Sequence, residues 1–254
     1  MPDNLFEHPR LAALYDVLER DRDDLDAYVV IAAELGARHI LDVGCGTGTF
    51  ALMLAARGFE VTGIEPALGS LEVARAKPEA GRVRWIHGDA SALPPMRADL
   101  ATMTANVAQA IVEPAAWDAT LSAIHDALRP GGHLVFETRD PALRAWRDWN
   151  RDASYRVTEV PGAGAVESWV DLLDVSEPLV TLRWTYVFGA DGQTLTSDST
   201  LRFRDRDEVA TALAAHGFVV EEVRDAPDRP GREFVFVSAR SRGASTPPAQ
   251  AAGI

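Results

Sequence analysis

Five short apolar runs between residues 39 and 139, separated by helix-patterned or turn-rich stretches, restrict the fold more than any other feature. His39 to Val43, Glu60 to Glu65, Arg82 to His87, Asp99 to Thr104 and His133 to Thr138 read as strands. Thr49 to Arg57, Leu68 to Lys77 and Trp117 to Leu128 read as helices. In the last, Trp117, Leu121, Ile124 and Leu128 recur at helical spacing. Gly58, Pro78 and Pro130-Gly131-Gly132 punctuate the pattern. Strands that alternate with helices form a mostly parallel sheet covered on both faces. Right-handed crossovers make that sheet doubly wound. The expected fold class is therefore α/β.

The flanks read differently. Leu11 to Leu35 is helical with a break near Asp21-Arg22-Asp23-Asp24, where Asp21 or Asp23 is placed to cap the second helix. Past Pro141 a short helix, Leu143 to Asn150, is expected. Four antiparallel strands follow: Arg156 to Val160, Val166 to Leu173, Leu179 to Phe188 and Thr194 to Phe203. Asp191-Gly192 suits a hairpin turn. A helix, Arg206 to His216, and two strands, Phe218 to Val223 and Phe234 to Ala239, bring the sheet to seven strands. The expected division is an N-terminal helical segment (1–35), a ligand-binding core (36–142), a β-rich substrate or lid insertion (143–203), the C-terminal part of the core sheet (204–240) and a disordered tail (241–254) rich in Ser, Pro, Ala and Gly.

Composition narrows the partners. A formal net charge of −13 repels phosphate backbones, which disfavours nucleic acid. Cys45 is the single cysteine, so no intrachain disulfide and no four-cysteine zinc site can form. No apolar run approaches the length of a membrane span, and the first residues lack a basic-then-apolar leader. The expected location is the cytoplasm, with no membrane partner; a homodimer is allowed.

Ile40-Leu41-Asp42-Val43-Gly44-Cys45-Gly46-Thr47-Gly48 runs from a strand into three alternate glycines. Such a loop permits a tight turn and close backbone approach to a ligand, at the positive end of the following helix. Gly46 to Ala51 also fits the relaxed dinucleotide fingerprint. Glu65, 17 residues beyond Gly48, ends the second strand, where a carboxylate accepts ribose hydroxyls of NAD or of S-adenosylmethionine (SAM) alike.

Four segments in order are more specific: residues 40–48, Val61-Thr62-Gly63-Ile64-Glu65, His87-Gly88-Asp89-Ala90 and Leu128-Arg129-Pro130-Gly131-Gly132. Together they resemble the successive motifs of class I SAM-dependent methyltransferases, over roughly residues 35 to 139. The resemblance implies the Rossmann-like methyltransferase fold, with SAM as cofactor. It places the methionyl end at Gly44, Cys45, Gly46 and Gly48, with Asp42 tuning the loop or meeting the amino-acid end through water. It places the ribose at Glu65, beside Pro66, the adenine amino group at Asp89, and a ring contact at the Ala90 N–H. Tyr15, in a segment that can close over SAM in this family, is a further cofactor contact.

The implied reaction is in-line methyl transfer to N or O of a small organic acceptor. Asn106 and Gln109 follow the fourth strand and Arg139 and Asp140 end the fifth, so Asn106 and Arg139 are candidates for orienting the acceptor, and the resemblance makes Asn106 a candidate cofactor contact too. Asn106 also reads as a helix cap, and Arg139 as half of a surface ion pair. His87 is a candidate base, with a structural role as its alternative. Trp146, Trp149, Trp169, Trp184 and Tyr186 either line an acceptor pocket or form the insertion's own core. No metal-ligand set is evident. Two other functions stay open on the sequence: an NAD(P)-dependent oxidoreductase, and a non-catalytic SAM-binding regulatory protein.

Overall fold

The structure, a computed structural model, describes residues 2–241. Apart from Ser241, the tail expected to be disordered lies outside them. Three helices come first: α1 (Asn4–Glu7), α2 (Pro9–Leu18) and α3 (Asp26–Glu34). The charged break does not cap α3. Arg22 holds Asp24 at 2.9 and 3.0 Å, and Asp21 accepts only the Asp23 N–H, at 3.4 Å. A 3-10 turn at Asp23–Leu25 then leads into α3, leaving Leu25 at the cap position.

The core follows as β1 (His39–Val43), α4 (Thr49–Ala56), β2 (Glu60–Glu65), α5 (Leu68–Ala76), β3 (Val83–His87), β4 (Ala98–Met103), α6 (Val107–Ala110), α7 (Pro114–Ala127) and β5 (Leu128–Arg139). After the insertion come α9 (Arg206–Ala215), β10 (Phe218–Asp225) and β11 (Glu233–Arg240); the insertion itself holds α8 (Arg151–Ser154), β6 (Arg156–Val160), β7 (Gly164–Ser176), β8 (Leu179–Phe188) and β9 (Thr194–Arg202). The main sheet has seven strands in the order β10-β11-β5-β4-β1-β2-β3. Neighbours from β3 across to β5 run parallel, and β11 is antiparallel to both β5 and β10. This is the doubly wound, mostly parallel seven-stranded sheet expected from the alternation.

Side chains alternate across each strand, so one sheet builds two cores. Leu41, Met103, Phe136 and Phe236 meet Trp117, Leu121 and Ile124 of α7 and Leu213 of α9 on one face. Ile40, Leu100, Val135 and Val235 meet Tyr28 and Ile31 of α3 and Phe50 and Leu54 of α4 on the other. Strand order reverses at β1, which pairs with β2 on one side and β4 on the other. The crevice at their carboxyl ends is where such sheets bind ligands.

Two expected elements differ. Pro130-Gly131-Gly132 is not a turn before the fifth strand but an irregularity inside it. Ala98 pairs with Leu128, then Leu100 with His133, and Gly131 absorbs the slack at φ +74°. Leu143 to Asn150 is not one helix. Arg144 adopts a left-handed conformation at φ 47° and splits it into the 3-10 turns Pro141–Leu143 and Ala145–Asp148. Asn150 then caps α8, accepting the Ala153 N–H at 3.0 Å.

The insertion forms a separate antiparallel sheet in the order β6-β7-β8-β9. One of its faces packs on α1 and α2 at one end, where Val166, Tyr186 and Phe188 meet Leu5, Leu11 and Leu14. At the other end Val180 meets Trp146 and Phe203. The N-terminal helices bridge this sheet to the core. Leu5 N–H donates to the Ser197 hydroxyl at 2.7 Å and Arg10 pairs with Asp191 at 2.8 Å, while Glu7 accepts the Leu68 N–H at 2.9 Å.

Candidate active site

Between the crevice and the insertion sheet lies a cavity of about 840 Å³. It is large enough for a nucleoside cofactor and a small acceptor together. Asp42, Gly44, Cys45 and Gly46 line it from the end of β1. Glu65 and Pro66 reach it from β2, and Asp89 and Ala90 from beyond β3. Asn106 enters after β4, Arg139 at the end of β5, and Tyr15 from α2.

Gly48 and His87 do not line the cavity. A Cβ at Gly48 would lie 2.6 Å from the Trp85 ring and 2.9 Å from Ala74 Cβ, so this glycine serves helix-to-sheet packing. His87 is exposed at the edge of the sheet, its Nε2 3.1 Å from the Pro66 carbonyl.

The glycine loop turns the amides of Gly44, Cys45, Gly46 and Gly48 inward. Gly44 and Cys45 N–H both donate to the Ile64 carbonyl, at 2.8 and 3.1 Å, and Gly48 N–H to the Cys45 carbonyl at 2.8 Å. Gly46 N–H donates to Glu65 Oε2 at 2.8 Å, and Ala67 N–H to Oε1 at 2.8 Å. Glu65 thus fastens the loop to β2 and keeps lone pairs toward the cavity. Its burial raises its pKa, and the two amides oppose that shift.

The start of α4 is already occupied by a carboxylate. Asp16 Oδ1 accepts the Thr47 hydroxyl at 2.6 Å and the Thr49 hydroxyl at 3.1 Å, and Lys77 Nζ lies 2.7 Å from Oδ2. A dinucleotide diphosphate needs this helix end. Here the hydroxyls flanking that end are held by the Asp16–Lys77 ion pair.

Asp42 is 1% exposed. Its Oδ1 accepts the Thr102 hydroxyl at 3.1 Å, and its Oδ2 has no partner. Burial pushes its pKa up to about 7 against the Thr102 hydrogen bond. A buried carboxylate oxygen left unpaired at a cavity wall is costly unless a cation meets it there. The α-ammonium of SAM has that chemistry, so the residues present fit this cofactor. Arg22 also lines the cavity, a residue the sequence reading used only as part of a helix break. Its guanidinium lowers the Asp42 pKa through space.

Around β4 and β5 a buried polar chain supports the wall. Asn106, left-handed at φ 60°, donates its N–H to Glu137 Oε1 at 2.8 Å and its side-chain amide reaches Glu233 at 3.5 Å. It stands at the cap position of α6 but makes no side-chain cap bond. Tyr28 hydroxyl donates to Glu137, whose pKa burial pushes up to about 7. Arg139 donates to Gln109 Oε1 at 2.9 Å and lies 3.6 Å from Glu233.

The insertion closes the opposite wall with Val170, Leu182, Trp184, Ser199 and Leu201, joined by Trp149. Trp146 and Tyr186 are instead buried core, at 5% and 2% exposure. Trp169 belongs to the outward face, with Arg151 stacked over it at 4.2 Å. Asp3, on the N-terminal segment, lines the cavity beside the Ser199 hydroxyl, and burial raises its pKa.

Fold and site together define a doubly wound nucleoside-cofactor protein with a β insertion over its crevice. Comparison with known proteins gives the family. A model described as "Methyltransferase domain" matches residues 40–132. The chain is 30% identical over 198 residues to the ubiquinone/menaquinone biosynthesis C-methyltransferase of Rubrivivax gelatinosus, covering 78% of this chain and 68% of that one. It is 39% identical over 111 residues to the demethylmenaquinone methyltransferase of Thermus thermophilus, covering 42% and 50%. It spans about half or less of the length of six further curated relatives. Among solved structures, a SAM-dependent methyltransferase from Clostridium acetobutylicum shares the fold at TM-score 0.73 and 15% identity, covering 92% of this chain and 99% of that one. An amino pentose methyltransferase from Micromonospora echinaspora does so at 0.69 and 23%, covering 90% and 97%. The chain belongs to the class I SAM-dependent methyltransferases, enzymes whose cofactor is SAM. No helix among the described residues is long and apolar enough to cross a membrane.

Proposed function

We propose that the chain methylates a nitrogen or oxygen of a small organic acceptor held between the core sheet and the insertion. The observation that carries this reading is the division of one cavity into two unlike halves. Over β1, β2 and β3 it is acidic, with Asp42, Glu65 and Asp89. Beside Arg139 at the end of β5 it is walled by Trp149, against which Leu201 packs, and Leu182 and Trp184 extend that apolar wall toward the N-terminal helices. In this reading Asp42 meets the cofactor's ammonium, Arg22 its carboxylate, Glu65 its ribose and Asp89 its adenine amino group.

Bound SAM supplies a methyl group already activated by a sulfonium, open to in-line attack by a lone pair. The protein's share is to orient the acceptor and exclude water. Asn106 and Arg139 orient it from the sheet side; Trp149 and Trp184 cover it. Asp3 is placed to take the proton that an alcohol or amine releases, with Ser199 holding its carboxylate. A cavity of this size fits a small acceptor better than a nucleic acid, in keeping with the net charge of −13.

Calorimetric titration with SAM, S-adenosylhomocysteine and NADH in parallel tests the reading. Saturable binding of both adenosyl ligands and none of NADH is expected. Binding of NADH alone sinks it.

The unpaired Asp42 oxygen gives a pH dependence with a definite sign. Its pKa is raised to about 7 by burial, and a bound ammonium pulls it down, so binding releases a proton. Affinity for SAM should therefore rise with pH from 5.5 toward 7, approaching about tenfold per unit on the acid side. Asp42→Asn should flatten the curve. An unchanged dissociation constant across that range in the wild-type protein removes Asp42 from the ammonium site.

A further inference from the structure

We infer that the acceptor carries a carboxylate, and that Arg139 and the face of Trp149 are its anchor. This rests on the methyl-transfer reading and goes beyond it by assigning the acceptor's chemical class. Among the described residues, the cations lining the cavity are Arg22 and Arg139. They stand at different ends. Arg22 grips Asp24 through two hydrogen bonds and acts on Asp42 at the end of β1. Arg139 ends β5, two strands from β1 and three from Glu65 on β2. At ordinary strand spacing that is about 10 Å and about 14 Å. A guanidinium so placed is across the cavity from the ribose carboxylate, over the half left to the acceptor.

The charge of Arg139 is incompletely matched inside the protein. Glu233 Oε1 lies 2.8 Å from Arg229 but 3.6 Å from Arg139, so the nearer arginine holds the carboxylate. Gln109, which accepts one Arg139 N–H, is neutral. Glu137, the other acid close by, is pushed up to about 7 by burial and is partly protonated at neutral pH. Arg139 therefore presents N–H donors and net positive charge to the cavity without a full internal counter-ion. Half-burying a guanidinium in this state costs free energy that an anionic ligand returns.

The surroundings select the anion. A guanidinium fork matches a planar carboxylate through two parallel hydrogen bonds. A phosphate with its second charge would call for another cation, and neither a lysine nor a further arginine lines the cavity among the described residues. Trp149 lies over Arg139, ring centroid 5.8 Å from Cζ, and leans on Phe203 at 6.1 Å. Leu182, Trp184 and Leu201 continue that apolar wall. An acid with an aromatic or branched aliphatic body satisfies both features at once. Such an anchor also counters the net charge of −13, which otherwise disfavours an anionic acceptor.

The test titrates the full chain, free and saturated with S-adenosylhomocysteine, with benzoate and indole-3-acetate, each against its primary amide. Calorimetry should show each acid bound at least about tenfold more tightly than its amide, the difference one charge-assisted pair makes. Arg139→Gln should bring acid and amide within about twofold. Arg139→Lys, which keeps the charge opposite Glu233 and protects the fold, should retain only part of the preference. Amides bound as well as acids, no saturable acid binding, or an undiminished preference in folded Arg139→Gln overturns the assignment. The S-adenosylhomocysteine titration separates the two readings: if that ligand fails to bind, the cofactor reading falls, while the acid-to-amide ratio is still read on the free protein.

Discussion

Replacing Glu65 with alanine is expected to weaken SAM binding by about 10- to 150-fold. Glu65 is buried at the end of β2, and each of its oxygens already accepts a backbone N–H: Gly46 on one side, Ala67 on the other. The remaining lone pairs face the cavity, where in the proposed pose they receive the ribose hydroxyls. Hydrogen bonds to a charged acceptor contribute about 1.5–3 kcal/mol, which sets the range. Alanine also frees the Gly46 amide, so the loop loses its tie to β2 and the loss should fall toward the upper end. Glu65→Gln keeps the shape and one carbonyl oxygen but turns an amide NH₂ toward a backbone N–H or a hydroxyl. Its loss should be smaller than alanine's and still measurable. Calorimetry with S-adenosylhomocysteine, with a melting curve to confirm folding, reads both variants. Undiminished affinity in folded Glu65→Ala takes the ribose away from this residue.

Much of this was legible in the chain because the information is local. Strands β1 to β4 announce themselves by apolar runs of four to six residues between turn signals, and Glu65 and Asp89 stand at or just past strand ends, where a parallel sheet exposes side chains to its crevice. What was not legible depends on contacts distant in sequence. Asp16 reaches Thr47 across 31 residues, and nothing in Tyr15-Asp16-Val17 marks a carboxylate that will sit at the start of α4. Arg22 looked like one charge among four in a helix break. The stripe on β8 shows a related limit. Leu182, Trp184 and Tyr186 share a face by strand periodicity, which the sequence does show. Which of them becomes core and which becomes wall is set by where α1 and α2 stop. They cover Tyr186 and Phe188, reach Trp184 only in part, and leave Leu182 to the cavity. His87 stands outside the cavity for the opposite reason. It has the right residue type at a strand end, but β3 is the edge of the sheet and the ring turns to the Pro66 carbonyl.

The glycine loop gives the second large effect, because three glycines that look alike in sequence have unlike surroundings. Gly46 has φ +53° and open space around a built Cβ, and it lines the cavity. Gly48 has φ +78° and no space, with the Trp85 ring and Ala74 each under 3 Å from a built Cβ. Both substitutions to alanine incur the left-handed penalty of about 1–2 kcal/mol. Only Gly48→Ala adds overpacking, typically about 1–3 kcal/mol, between α5 and β3. Gly48→Ala should therefore lose about 2–5 kcal/mol of stability, and its melting temperature should fall by roughly 5–20 °C at a few degrees per kcal/mol. Gly46→Ala should melt within a few degrees of the wild-type protein and lose ligand affinity instead, since its methyl group projects where the cofactor approaches. Paired melting curves and S-adenosylhomocysteine titrations on the two variants separate packing from binding. If Gly48→Ala keeps its stability and loses only affinity, Gly48 belongs to the ligand after all, and the packing role assigned to it by Trp85 and Ala74 is wrong.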